Sequence, residues 1–91
     1  MEKRLLAPDL YTHLVALAAA LEGVGETDAA KQVLHTSKFI SGSTSELYGE
    51  ARLLLPKILH NCGAILADLD RARLRETIAG IEREFQRVGG A

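Results

Sequence analysis

The sequence predicts a small all-α protein, an up-and-down four-helix bundle built as one domain of 91 residues. Three observations lead to this fold class. Apolar residues recur at spacings of three and four along most of the chain, which is the period of a helix. Short segments containing glycine or serine separate these stretches, as turns do. With two tyrosines, two phenylalanines and no tryptophan, aliphatic side chains must fill the core, which suits helix-on-helix packing.

The widest apolar stripe lies on the third predicted helix, over residues 45–61. Its apolar residues, followed from 43 to 69, share an arc of roughly 140° at 100° per residue, so the other helices should pack against it. Pro56 lies opposite this arc with Gly49 and Gly63, and a kink is expected near it because proline removes one helical hydrogen bond. The stripe comprises Leu47, Ala51, Leu54, Leu55, Ile58, Leu59, Cys62, Ile65, Leu66 and Leu69.

The first helix is predicted over residues 9–22. Pro8 and Asp9 favour a helix start, because proline is tolerated in the first turn and an acid there complements the helix dipole. Gly23 and Gly25 should end it. Its inner seam is Leu10, Leu14, Leu17 and Leu21.

The second helix is predicted over residues 28–41, with Thr27 as its N-cap. At its end, Gly42 is expected in the left-handed conformation that glycine tolerates. Ser43 and Glu46 then form a capping box for the third helix, which makes this corner sharp. The inner face of the second helix is small and partly polar: Ala30, Val33, Leu34, Ser37 and Ile40.

The fourth helix is predicted over residues 70–88. It cannot continue the third, because Leu69 and Leu74 differ by 140° around a single helix axis. A break is therefore expected between Asn61 and Asp70, with Asp68 or Asp70 as the new N-cap. Residues 1–7 are expected to be a loose lead-in whose Leu5 and Leu6 can tuck against the bundle, and residues 89–91 a frayed end. The seam of the fourth helix is Leu74, Ile78, Ile81, Phe85 and Val88.

Composition narrows the function classes. The net charge of −1 gives no surplus of basic residues for nucleic acid. The single cysteine cannot form an internal disulfide, the apolar run after Met1 is too short for a secretory signal, and no apolar stretch reaches the roughly 20 residues of a membrane span. A cytoplasmic protein is expected.

Few residues offer site chemistry. His60 and Cys62 point about 200° apart on a helix, and His13 and His35 lie on other helices, so a metal site is not expected. Cys62 is interpreted as a core residue and His60 as a surface one. The serines around Ser43 serve the helix cap, and nothing indicates a nucleophile or a cofactor.

Arginines on the fourth helix raise the question of DNA binding. At a spacing of two, Arg71, Arg73 and Arg75 fan over about 200°, and interleaved acids make a solvated, salt-bridged face the favoured interpretation. Arg83 and Arg87 do share a face. A helix-turn-helix across the Gly42 corner is disfavoured, because acids rather than bases open the would-be recognition helix.

The first helix carries no acid, lysine or arginine between its two ends. Its rear contains Thr12, Ala16, Ala19 and Ala20, and such a face is either buried against a partner or simply exposed alanine. We favour contact, because exposed helix faces usually carry glutamate or lysine.

The predicted function is a non-catalytic protein–protein interaction module that self-associates as a homodimer, with small adaptor, antitoxin or immunity-type proteins as examples of the class. The alternative is a helical DNA-binding regulator that uses Arg75, Arg83 and Arg87. A small all-helical enzyme is the third hypothesis.

Overall fold

A computed structural model describes residues 4–87, which form four α-helices and two short 3₁₀ turns. The helices α1 to α4 are Ala7–Gly23, Thr27–Ser37, Thr44–Cys62 and Asp68–Arg87, and the 3₁₀ turns are Lys38–Ser41 and Gly63–Ile65. Each helix packs against the next, and α4 closes the bundle against α1. The predicted all-α four-helix bundle is confirmed. None of these helices combines the length and apolar character that crossing a membrane requires.

The core lies between the apolar sides of α1 and α3, with contributions from the other two helices. The predicted seam of α1 is buried along its whole length, and so is most of the predicted α3 stripe. Pro56 lies inside α3 and is exposed, as its position predicted. The buried apolar residues are Leu10, Leu14, Leu17, Ala18, Leu21, Ala30, Val33, Leu47, Ala51, Leu55, Ile58, Cys62, Leu66, Leu74 and Ile81.

The far end of the predicted stripe is wrong. Ile65 is 49% exposed and Leu69 is 65% exposed, because α3 ends at Cys62 and the 3₁₀ turn after it changes the direction of the chain. Gly63, expected on the outer face, is buried, and a Cβ there would lie 3.2 Å from Cδ1 of Leu59. The predicted break itself, between Asn61 and Asp70, is confirmed.

Arg71 holds the corner between α3 and α4. Its Nη1 donates to the carbonyl oxygens of Gly63, at 2.9 Å, and Leu66, at 3.2 Å, and its Nη2 pairs with the carboxylate of Asp68. The predicted ion pairing with an interleaved acid is present at Arg71, but its side chain is partly buried and its hydrogen bonds to the two carbonyls were not predicted. Asp68 and Asp70 lie inside the first turn of α4 rather than before it, so neither is the predicted N-cap.

A second contact joins α3 to α4 further along. Arg52 donates through Nε and Nη2 to the two carboxylate oxygens of Glu82, at 2.8 and 3.1 Å. The same guanidinium lies over the ring of Phe85, 4.6 Å from its centroid. The hydrogen bond from Arg52 lowers the pKa of Glu82.

The second helix departs from its prediction at both ends. Thr27 is already helical and not the cap, because the helix begins one residue earlier and the N–H of Ala30 donates to the carbonyl oxygen of Glu26. At the other end the helix stops at Ser37, before the predicted residue 41. On the inner face Leu34 is exposed, and Thr36 is buried in its place. The face that meets the other helices is therefore rotated from the one that the apolar residues predicted.

The turn between α2 and α3 does not have the predicted left-handed glycine. Gly42 has a φ of −116°, because the last turn of the second helix tightens into the 3₁₀ turn Lys38–Ser41 and the chain leaves it without a left-handed residue. The left-handed glycine is instead Gly25, with a φ of 84°, in the turn after α1. The Ser43 half of the predicted capping box is confirmed: Ser43 Oγ accepts a hydrogen bond from the N–H of Glu46 at 3.3 Å.

We expect the variant Ser43→Ala to unfold about 1 kcal/mol more easily, because it leaves an N–H at the start of α3 without its side-chain acceptor. In a domain of this size that loss corresponds to a melting temperature about 4–8 °C lower, measurable by circular dichroism. The control Ser43→Asp keeps a capping oxygen and should melt near the wild-type temperature. An unchanged melting temperature for Ser43→Ala would contradict this role.

The ends of the chain were expected to be loose over residues 1–7 and 89–91. The loose lead-in is wrong for Ala7, which begins α1, and for Arg4, which pairs with Glu84, whereas Leu5 packs against the bundle as predicted. Residues 1–3 and 88–91, including Val88 of the predicted seam, lie outside the described part of the chain.

Candidate interaction surfaces

The outer face of α1 is open to solvent along its length. Thr12, Ala16 and Ala19 are exposed, and Ala20 is half-buried on the side that meets α4. The bundle therefore does not cover the rear of α1, and its own helices do not account for the lack of charge there. We call the exposed residues Tyr11, Thr12, Val15, Ala16 and Ala19 the α1 face.

The chemistry of the α1 face is uniform. The Thr12 hydroxyl donates to the carbonyl oxygen of Pro8 at 3.0 Å, so its hydrogen bond is made within the helix. On α1 itself, acidic side chains stand only at the two ends, Asp9 and Glu22, about 20 Å apart at 1.5 Å per residue. Between them the face offers methyl groups, Val15 and the ring of Tyr11. Along the edge toward α4, clefts beside Thr12 and Ala16 are also lined by charged residues of that helix.

Leu69 adds a large apolar side chain beside this face. The helices α1 and α4 run antiparallel, because Ala16 and Arg73 line one cleft while Asp9 and Gly80 line another. Leu69 lies one turn before Arg73 on the same side of α4, which places it next to the C-terminal half of α1. The residue predicted to lie in the core thus extends the α1 face outward.

The arginines of the DNA-binding alternative are all on the exposed surface of α4. Arg83 and Arg87 are one turn apart, and Arg75 lies two turns before Arg83. The Nε of Arg87 lies 3.8 Å from Oε1 of Glu84, and Arg83 lines a cleft that also holds Glu76. Acids thus accompany these arginines in the fold as they do in the sequence.

A third surface, which the sequence did not predict, is formed where residues 4–6 cross the bundle; we call these residues the strap. Arg4 Nη2 lies 3.1 Å from Oε1 of Glu84. The hydroxyl of Tyr48 donates to the carbonyl oxygen of Leu5. The N–H of Leu6 donates to Oδ2 of Asp9 at 3.3 Å, which also closes the first turn of α1.

The Leu5 side chain fits against Gly80. A Cβ built at Gly80 would lie 3.2 Å from Cδ2 and 3.3 Å from Cβ of Leu5, closer than ordinary van der Waals contact. Glycine costs roughly 1 kcal/mol in a helix interior relative to alanine, so its presence in the middle of α4 has a packing reason. That reason is the notch that receives Leu5.

Glu84 is the electrostatic centre of this site. Its side chain is 13% exposed, and it accepts a hydrogen bond from the guanidinium of Arg4. The hydrogen bond from Arg4 lowers the pKa of Glu84 despite the opposing effect of burial. Burial raises the pKa of Tyr48, and the nearby carboxylate of Glu84 raises it further, so the phenol remains a donor.

Two clefts flank the strap. One, of about 330 Å³, is mostly apolar and is lined by residues that include Leu6, Tyr48 and Phe85. The other, of about 310 Å³, is more polar and is lined by residues that include Asp9 and His13. The strap therefore fills the middle of a longer groove between α1, α3 and α4.

The histidine and the cysteine that the sequence singled out lie as interpreted. His60 is exposed and Cys62 is buried. The Cys62 Sγ lies 3.7 Å from Oε1 of Glu26, and burial raises the pKa of this thiol. Within residues 4–87, no three histidine, cysteine, aspartate or glutamate side chains are grouped so as to hold a metal ion.

The missing charges on α1 predicted the α1 face as a contact surface, whereas the strap site had a weaker signal in the sequence. That signal was Gly80, a glycine inside a strongly helical pattern with no turn nearby. Its partner Leu5 lies 75 positions away, so no local pattern could pair them. Comparisons of this chain with protein-family models, curated proteins and solved structures find no match.

Proposed function

We propose that this chain is a non-catalytic protein–protein interaction module that self-associates through the α1 face. The observation that supports the proposal is the exposed, uncharged surface of Thr12, Val15, Ala16 and Ala19, with Leu69 projecting beside it. Contiguous apolar surface of this kind usually marks an interaction site. We further propose a cytoplasmic location, because a lone cysteine does not need an oxidising compartment.

A second copy of the chain is the occupant that this surface fits best. Small side chains let two helices approach closely, and a two-fold axis near Ala16 would bring the small side chains of the two copies together. Asp9 and Glu22 stand at the ends of the face, where crossed helices diverge, so their carboxylates would stay in water.

The size of the surface sets the expected strength. If each copy buries about a tenth of its 5779 Å² of accessible surface, the interface falls at the lower end of the range for specific association. A dimer in the micromolar range is therefore expected. A 91-residue domain has little buried area of its own, so this association would also stabilise it.

Sedimentation equilibrium over a range from low to high micromolar concentration tests the proposal. The wild type should shift from monomer to dimer, and Ala19→Glu should weaken the dimer at least about tenfold, because it buries an unpaired charge within the face. The matched control Ala79→Glu changes an exposed alanine of α4 and should dimerise like the wild type. A wild-type chain that remains at 9.8 kDa throughout would overturn the proposal.

A further inference from the structure

We propose that the groove holding the strap is a second interaction site, which binds an extended segment of another protein carrying arginine followed by leucine. The chain's own residues 4–6 occupy this groove as a built-in competitor. This proposal does not depend on the α1 face, which meets the groove at Thr12, a residue that also lines the more polar cleft beside the strap.

The contacts of the strap show what the groove recognises. The carboxylate of Glu84 takes a guanidinium, the notch at Gly80 takes a leucine side chain, and the hydroxyl of Tyr48 takes a main-chain carbonyl. One of these contacts reads the backbone, and two read side chains in a fixed order. Such a combination is how short linear segments are bound with specificity.

The strap holds the groove loosely. It is short, Arg4 and Leu6 are about half exposed, and surface ion pairs such as Arg4–Glu84 contribute little on their own. The clefts of about 330 and 310 Å³ on either side are left for a longer segment to enter. A partner peptide can therefore make more contacts than the strap makes.

The covalent link between the strap and α1 favours the strap over a free peptide. Because the strap is joined directly to α1, its effective concentration at the groove is high, in the millimolar range for a short connection. A free peptide with the same residues should then bind the wild type weakly. Weakening the strap without touching Tyr48, Gly80 or Glu84 should uncover the site.

The experiment uses a fluorescein-labelled peptide with the sequence of residues 1–9 and the full chain in an anisotropy titration. The double variant Arg4→Ala/Leu5→Ala should bind this peptide at least about tenfold more tightly than the wild type does. Adding Gly80→Val to that variant should abolish binding, because the new side chain fills the notch, whereas adding Ala79→Val should not. A peptide with aspartate at the Leu5 position should not bind the double variant, with or without Ala79→Val.

The proposal would be overturned if the double variant did not bind the peptide at millimolar concentration. It would also be overturned if the peptide still bound after Gly80→Val was added and the aspartate peptide bound as well. If the double variant does not fold, the amide resonances around Gly80 in the wild type should still shift on addition of peptide, and their constancy would have the same meaning. Two copies could instead exchange straps. The chain would then form a dimer that Arg4→Ala/Leu5→Ala abolishes and Ala19→Glu leaves intact, and this result would also overturn the proposal. Peptide binding by Ala19→Glu should equal that of the wild type, which separates this test from that of the α1 face.

Discussion

Replacement of Leu55 by alanine is expected to lower the free energy of unfolding by about 3 kcal/mol. Leu55 is 1% exposed at the centre of the apolar side of α3, so the variant loses buried methyl groups and leaves a cavity that rigid neighbouring helices cannot close. A 91-residue domain has a total stability of about 5–14 kcal/mol, so this loss is a large part of it. Urea unfolding followed by circular dichroism measures it.

The matched control is Leu53→Ala, two residues away on the same helix. Leu53 is 66% exposed, so the same chemical change should alter the free energy of unfolding by no more than about 0.5 kcal/mol. The change in intrinsic helix propensity is the same in both variants, so the difference between them reports burial. Equal losses for the two variants would mean that the apolar side of α3 does not form the core described above.

The variant Arg71→Ala is expected to lower the free energy of unfolding by about 2 kcal/mol, because it removes charge-assisted hydrogen bonds to two main-chain carbonyls. Those carbonyls, of Gly63 and Leu66, belong to the turn where the chain reverses between α3 and α4. In Arg71→Ala these two carbonyls lose their hydrogen bonds from the guanidinium. Chemical unfolding gives the free energy, and hydrogen exchange of the amides in residues 63–67 locates the effect.

Two variants test whether the hydrogen bonds of Arg71, rather than its positive charge alone, stabilise the corner. Arg71→Lys keeps the positive charge but has no planar fork to reach both carbonyls, so it should recover less than half of the loss. Arg73→Ala removes an exposed arginine two positions away and should change stability by no more than about 0.5 kcal/mol. A loss as large in Arg73→Ala as in Arg71→Ala would show that net charge on α4, and not the corner, is responsible.

The sequence alone determined the fold class and most of the helix ends, since these depend on residues close together in the chain. The leucine seam of α1 repeats with the helical period, so its burial follows from the pattern. The Ser43 cap joins residues three positions apart, and the break before α4 follows from the angle between Leu69 and Leu74. The uncharged rear of α1 could be identified in the same way.

The tertiary structure decided which side of each element meets its neighbours. Leu34 faces solvent because α2 is rotated in the bundle, and Leu69 does so because the turn after Cys62 begins a new helix direction. Arg71 acts at a corner whose carbonyls come from that turn. Each of these depends on how rigid elements fit together, which no single helical pattern contains.

The strap site shows the limit most clearly. Its contacts join Leu5 to Tyr48, 43 positions away, and Arg4 to Glu84, 80 positions away. Local sequence determines helices because their hydrogen bonds and side-chain pairs span three or four residues. A groove that reads a segment from the opposite end of the chain exists only after the bundle has brought α1, α3 and α4 together.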